Sequence, residues 1–473
     1  MIKNAFDPEN FRATGHELID TLADYLTQLQ QDSSKILVSK TQSPEEQLDK
    51  WQNFETNQDW GNYFKEYLDD SMHLHHPKYM GHQITVPAPL SALAALTSDL
   101  LNNGMGVYEM GQPSVIMEHL VIQRLAKKMG FDAQAGGFLT SGGTLANLTA
   151  LLAARRKKAS QDVWKTGNHQ QMALLVSEQA HYCVERAVRI MGWGDAGVIK
   201  IPVDHDFRLR TDLLETYYQL ARSEGKEVIA LVGSACSTAT GAYDDLEALA
   251  DFCKNNDLWF HVDGAHGASA VFSDKFRSRV KGIEQADSVI MDFHKTLLVP
   301  ALATGVVFKD VNDSYNTFAQ NAHYLWSNNE DKEWFNLAKR TFETTKLPMG
   351  FKIFTIWNHY GDDLLEEMIE TIFSLGAQFG GLVKQHPQFE LPVDPECNIV
   401  CFRYIGGNQE DLNALNRHIR QTIVAEGKFY LVQTLLHGDT YLRVTLANPA
   451  TTTQDLEELL AYIVQIAQAE VSV

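Results

Sequence analysis

The chain has 473 residues, with 40 Lys and Arg against 60 Asp and Glu, for a formal net charge of -20. Such a surface repels phosphate backbones and anionic membranes, so nucleic acid is excluded as an expected partner. The N-terminus "MIKNAFDPEN" carries no apolar signal segment, and no apolar run approaches the roughly 20 residues that span a bilayer, so a soluble, cytoplasmic protein without membrane association is expected.

In chain order, residues 8 to 70 read helical: "FRATGHELIDTLADYLTQL" sets Leu18, Ile19, Leu22, Tyr25, Leu26 and Leu29 on one face at helical spacing. From about 137 to 308, short apolar runs ("MALLVS", "VIKIP", "VIALVGSA", "LWFHVD", "SVIMD", "TGVVF") alternate with helical stretches. Continuous runs of this kind predict a mainly parallel sheet covered on both faces, hence an α/β fold. After a helix-rich segment, "CNIVCFRY", "LNALNRHIRQTIV", "TYLRVTL" and "LEELLAYIVQIAQ" read as a smaller β-α-β-α domain. The expected division is a helical segment over 1–85, a large domain over 86–350 and a small C-terminal domain over 351–473. Five cysteines, Cys183, Cys236, Cys253, Cys397 and Cys401, are scattered without CxxC spacing, so neither a disulfide framework nor a metal site is expected.

Ligands of open α/β sheets bind beyond the carboxyl ends of the strands, and the polar residues at those ends form an unusual set. "LTSGGTLANLTALLAAR" passes through Ser141, Gly142, Gly143 and Thr144 into a helix whose expected apolar side is Leu145, Leu148, Leu151 and Leu152. Free N–H groups at such a helix start suit a phosphate, although a Gly-Gly turn also begins many helices that bind nothing. The pattern is neither GxGxxG nor a Walker loop, which argues against dinucleotides and nucleoside triphosphates. "LWFHVDGAHG" ends an apolar strand on Asp263, a carboxylate that needs a partner if buried. His181 in "SEQAHYCVERA" starts another helix, where it can cap the helix or stack on a flat ligand. In "SVIMDFHKTLLV" an apolar strand leads into His294 and Lys295, where burial would depress the lysine pKa. Phosphate cradle, carboxylate, histidine and strand-end lysine together are the parts that hold pyridoxal 5′-phosphate, with Lys295 as the Schiff-base lysine and Asp263 keeping the ring nitrogen protonated.

Over nearly its whole length the chain also resembles the group II pyridoxal-phosphate decarboxylases, which act on aromatic amino acids, histidine, glutamate, cysteine sulfinate and 2,4-diaminobutyrate. The likeness runs from "FRATGHELIDTLADYL" through "HPKYMGHQITVPAP", "TSGGTLAN", "SEQAHYCVERA", "STATGAYDDL", "HVDGAHGAS" and "DFHK" to "YLRVTLANP". It implies a type I (aspartate aminotransferase-like) fold and a homodimer whose N-terminal helices wrap the partner, with the site at the interface. The implied reaction is α-decarboxylation of an L-amino acid to carbon dioxide and a primary amine, through a lysine aldimine and a quinonoid.

By the same resemblance Gly143 and Thr144 hold the phosphate, His181 stacks on the ring, Thr238 and Asp292 lie near the cofactor, Ala265 packs below it, and His294 sits beside Lys295. His82, Gln83 and Thr85 resemble the N-terminal substrate-contacting segment. Tyr108 and Glu109 resemble the stretch contributed across the dimer, and Arg443 matches the arginine that meets the substrate carboxylate. The family alanine at the position of Gly264 is replaced, a change expected to be tolerated. The loop tyrosine that protonates the carbanion in many relatives is missing: Asp331 or a neighbour stands near its place, with Tyr324 the nearest tyrosine. Relatives without it decarboxylate oxidatively and yield aldehydes, which keeps that chemistry, and a same-fold aminotransferase or lyase, as alternatives. Substrate motifs point several ways, to acidic, diamino and aromatic amino acids.

Overall fold

A computed structural model describes residues 2–54, 59–318, 333–406 and 411–471. The chain divides into two compact units, one of residues 83–377 and 393–400, the other of residues 1–82, 378–392 and 401–473. Among the described residues no helix is long and apolar enough to cross a membrane.

The larger unit is built on seven strands: β1 (Gly136–Thr140), β2 (Met172–Ser177), β3 (Val198–Ile201), β4 (Glu227–Ser234), β5 (Trp259–Asp263), β6 (Ser288–Asp292) and β7 (Thr304–Phe308). Their order is β1-β7-β6-β5-β4-β2-β3. The pairs from β6 to β3 are parallel, and β7 runs antiparallel between β6 and β1. All residues of β1, β2, β5, β6 and β7 are buried, as expected for runs covered on both faces, whereas β3 at the edge is half-buried.

Helix Gly143–Lys158 packs on this sheet mainly by small side chains and not by a leucine face. Its buried face is Ala146, Asn147, Ala150, Ala153 and Ala154, together with Leu151, while Leu145, Leu148 and Leu152 are partly exposed. Small side chains let helix and strands approach closely, which the reading of a leucine face missed.

A second sheet has strands β8 (Phe389–Glu390), β9 (Ile399–Tyr404), β10 (Val432–Leu436) and β11 (Asp439–Thr445) in the order β10-β11-β9-β8; apart from the first two residues of β9 these belong to the smaller unit, as do helices Leu412–Glu426 and Thr453–Val471. β10 was not expected. It pairs antiparallel with β11 through a two-residue turn in which His437 and Gly438 both have positive φ, 51° and 91°. Its alternating burial marks it as an edge strand, so it lacks a continuous apolar run. The N-terminal part of this unit is helical as expected, with helices Pro8–Asp32, Pro44–Gln52 and Trp60–Asp70. On the first of them Leu29 is buried, but Ile19 and Leu22 remain 42% and 37% exposed.

Candidate active site

Parallel strands align their carboxyl ends, and there the loops of the large sheet enclose a cavity of about 420 Å³. Gly143, Thr144, His181, Thr238, Asp263, Ala265, Asp292, His294 and Lys295 all line it, joined by Asn147, Cys183, Ser234, Cys236 and His266. Thr85 and Tyr108 belong to the same unit but not to this lining. Thr85 donates its backbone N–H to the carbonyl of His294 (3.0 Å), and Tyr108 donates its own to Asn336 Oδ1 (2.9 Å). His82 and Arg443 lie in the smaller unit. There His82 Nε2 meets the Tyr430 hydroxyl at 3.2 Å, and burial followed by the charges of Arg443 and Arg420 pushes the His82 pKa down. Arg420, about two helical turns into "LNALNRHIRQ", is thus a cation beside this pair that the sequence reading did not single out. Asp331 and Tyr324 lie outside the described residues.

The β1 loop and its helix form one wall. Gly142 has φ 137°, which side-chain-bearing residues rarely adopt. The N–H groups of Leu145 and Ala146 already donate to the Gly142 carbonyl, which leaves those of Gly143 and Thr144 as the helix donors without an intrahelical acceptor. A Cβ on Gly143 would stand 3.4 Å from both Asp292 carboxylate oxygens and 3.7 Å from Ala265 Cβ, so the missing side chain keeps that wall open. Free N–H groups, a helix start and open space fit the phosphate of pyridoxal phosphate.

Two adjacent strands each end in a carboxylate, β5 in Asp263 and β6 in Asp292, and Lys295 follows in the single turn Phe293–Thr296. Lys295 Nζ is 3.0 Å from Asp292 Oδ2. Asp292 is 1% exposed, accepts the Thr304 hydroxyl on its other oxygen, and has His294 Nε2 at 3.7 Å. Here an expectation is overturned: the Lys295 pKa is raised, not depressed. Burial does work against the charged amine, but the attraction of Asp292 and then of Asp263 outweighs it. The apolar run "SVIM" hid the second carboxylate, which stands one residue beyond it.

Asp263 receives two hydrogen bonds, Ala265 N–H on Oδ1 (3.2 Å) and Asn147 Nδ2 on Oδ2 (3.0 Å). His181 caps helix Tyr182–Ile190, its Nδ1 accepting from Cys183 N–H at 3.3 Å, and burial lowers its pKa so that the ring is neutral near pH 7. A neutral, half-buried imidazole at the cavity wall can lie against a flat ring without desolvating a charge. Gly264 is tighter than expected. A Cβ there would meet Ala268 Cβ at 2.4 Å and the Ile290 carbonyl oxygen at 2.8 Å, so alanine does not fit this backbone.

Residues 24–405 match the family model described as the pyridoxal-dependent decarboxylase conserved domain. An L-aspartate decarboxylase of Metarhizium robertsii is 30% identical over 68% of this chain and 65% of its own length. An L-2,4-diaminobutyrate decarboxylase of Rhizobium meliloti is 30% identical over 85% of this chain and 80% of its own. The fold superposes on a crystal structure of mouse CSAD with a TM-score of 0.91, at 23% identity, covering 98% of this chain and 99% of that one. Strand order and this superposition place the chain in the α/β class with the type I pyridoxal-phosphate fold. The chain is a member of the pyridoxal-dependent decarboxylase family, a carboxy-lyase that uses pyridoxal phosphate.

Proposed function

We propose that the protein is an L-amino acid α-decarboxylase that releases carbon dioxide and a primary amine. The observation that carries this reading is the cavity in which Lys295, two strand-end carboxylates and a free helix start converge. Bound pyridoxal phosphate supplies an electron-accepting ring for the electron pair of the breaking Cα–carboxylate bond. Gly143 and Thr144 hold its phosphate by their N–H groups. His181 would lie against the ring face, and Thr238, Ala265 and His294 line the remaining walls of the cavity. Asp263 would accept the N–H of the ring nitrogen, and Lys295 would be the covalent anchor, with Asp292 beside its Nζ. His82, Thr85, Tyr108 and Arg443 are assigned to the substrate, Arg443 to its carboxylate.

The reading extends to organisation. Residues 1–85 form a dimerisation segment, supported by the exposed apolar Ile19 and Leu22, with 86–350 as the cofactor domain and 351–473 as the small domain of a homodimer. None of the five cysteines forms a disulfide and all are buried, which accords with a cytoplasmic location.

The test is incubation of the cofactor-loaded protein, with and without oxygen, with a panel that includes L-aspartate, L-2,4-diaminobutyrate and the aromatic L-amino acids. Carbon dioxide with an equal amount of amine in both atmospheres is expected, and Lys295→Ala should abolish both. Aldehyde and hydrogen peroxide formed only in air would replace this reading with oxidative decarboxylation; keto acid without carbon dioxide would replace it with transamination.

A further inference from the structure

A file of four buried side chains ends on Asp263. Trp259 Nε1 is 2.9 Å from Ser288 Oγ, Ser288 Oγ is 2.8 Å from His261 Nδ1, His261 Nε2 is 2.7 Å from Asn147 Oδ1, and Asn147 Nδ2 is 3.0 Å from Asp263 Oδ2. None of the four is more than 1% exposed. The placement follows from register, since His261 and Ser288 are direct partners of β5 and β6, Trp259 is two residues back on the same face of β5, and Asn147 comes from the alanine face of the covering helix.

The chemistry allows one sense of donation. An indole N–H only donates and a carboxylate only accepts, so the ends are fixed. Asp263 Oδ2 accepts from the Asn147 amide nitrogen, which turns the Asn147 carbonyl oxygen towards His261 Nε2. His261, kept neutral by burial, then carries its proton on Nε2 and donates to the Asn147 carbonyl, which leaves its Nδ1 to accept the Ser288 hydroxyl hydrogen, while Ser288 Oγ accepts from Trp259. The competing tautomer would donate from Nδ1 to the Ser288 backbone carbonyl, 3.2 Å away. Its bare Nε2 would face the Asn147 oxygen, and relieving that contact by turning the amide would set a carbonyl against the Asp263 carboxylate.

We propose that Trp259, Ser288, His261 and Asn147 are positioning residues, a one-way hydrogen-bond relay that orients the Asp263 carboxylate toward the ring nitrogen of the cofactor. The proposal rests on the assignment of Asp263 made above.

Two measurements test it. Cofactor-free protein labelled with 15N-histidine, with the His261 signals identified by their loss in His261→Gln, should carry the His261 proton on Nε2 from pH 6 to 9; a proton on Nδ1 overturns the relay. Loaded enzyme should lose about tenfold in kcat on Ser288→Ala with KM within about twofold, and Ser288→Thr should restore most of it. With 15N-labelled pyridoxal phosphate, the ring nitrogen should deprotonate at lower pH in Ser288→Ala than in the wild type. An unchanged ring-nitrogen titration and kcat in Ser288→Ala overturns the proposal. If Ser288→Ala does not fold, Trp259→Phe, which removes the first donor, is read in the same way. A wild-type protein that forms no Lys295-dependent visible band with pyridoxal phosphate would instead remove the cofactor reading, and the relay's purpose with it, so the two failures are distinguishable.

Discussion

Asp292 is a carboxylate almost wholly removed from water and set against the wall assigned to a phosphate, and Lys295 explains how it is tolerated. The ion pair at 3.0 Å neutralises it, and Thr304 satisfies its other oxygen. The same contact holds the lysine protonated in the cofactor-free protein, whereas attack on an aldehyde needs the neutral amine. Asp292→Asn should therefore lower the Lys295 pKa and raise the rate of pyridoxal phosphate incorporation at pH 8 several-fold, followed by stopped-flow absorbance; an unchanged rate and pH profile would show that Asp292 does not control the amine. Gly264 makes a second prediction at this scale. The Ile290 carbonyl cannot retreat without disturbing β6, so Gly264→Ala should destabilise the protein by about 1–3 kcal/mol, read as a lower urea midpoint. A midpoint equal to the wild type would mean that the backbone relaxes freely there.

Among the elements, helix Tyr108–Lys128 and β1 are joined by a buried ion pair. Glu118 and Lys346, 2% and 1% exposed in their side chains, meet through Glu118 Oε1, which also accepts the Leu139 N–H at 3.0 Å, while Lys346 Nζ donates to the Leu139 carbonyl at 2.7 Å. Removing one partner strands the other charge, so Lys346→Met should cost about 3–5 kcal/mol, and Glu118→Gln combined with Lys346→Met should recover part of it in denaturation curves. If the double variant is no better than the single, the loss lies in packing and not in the stranded charge. Nothing local in "TFETTK" distinguishes this lysine from a solvated one, because its partner is 228 residues away. The site divides along the same line. Asp263, Lys295, His181 and the Ser141–Thr144 turn were legible because polar groups at the ends of apolar runs break a pattern. His261 and Asn147 were not, since each lies inside a run, "LWFHVD" or "ANLTALLAA", where one polar residue reads as an ordinary face position. The parallel strands were legible by their unbroken apolar burial, and β10 was lost because an edge strand has only half of that signal.

For the whole molecule, buried histidines set the response to acid. His261 falls in the fold from 6.5 to about 4, through burial above all. Between those values the unfolded chain takes up a proton that the folded chain refuses, so stability drops as pH falls through this window, by about 3 kcal/mol for the full shift. His73, His75, His76, His82, His119 and His181 are shifted in the same direction, burial again the largest cause. Asp244 acts with the opposite sign. Burial raises it from 3.8 to about 6, so the folded state binds its proton first and gains stability as pH falls between those values, by a similar amount. Burial raises Asp287 in the same direction, so among the described residues two carboxylates oppose seven depressed histidines. The cofactor-free protein should thus lose urea resistance from pH 6.5 to 4.5. His261→Gln keeps an N–H for Asn147 but has no proton to gain, so its loss over the same range should be shallower by about 2–3 kcal/mol. Parallel curves for the two proteins would mean that His261 is protonated in the fold at mildly acidic pH. Its ring would then donate from both nitrogens, so Ser288 could no longer donate to Nδ1 and the one-way relay would be broken.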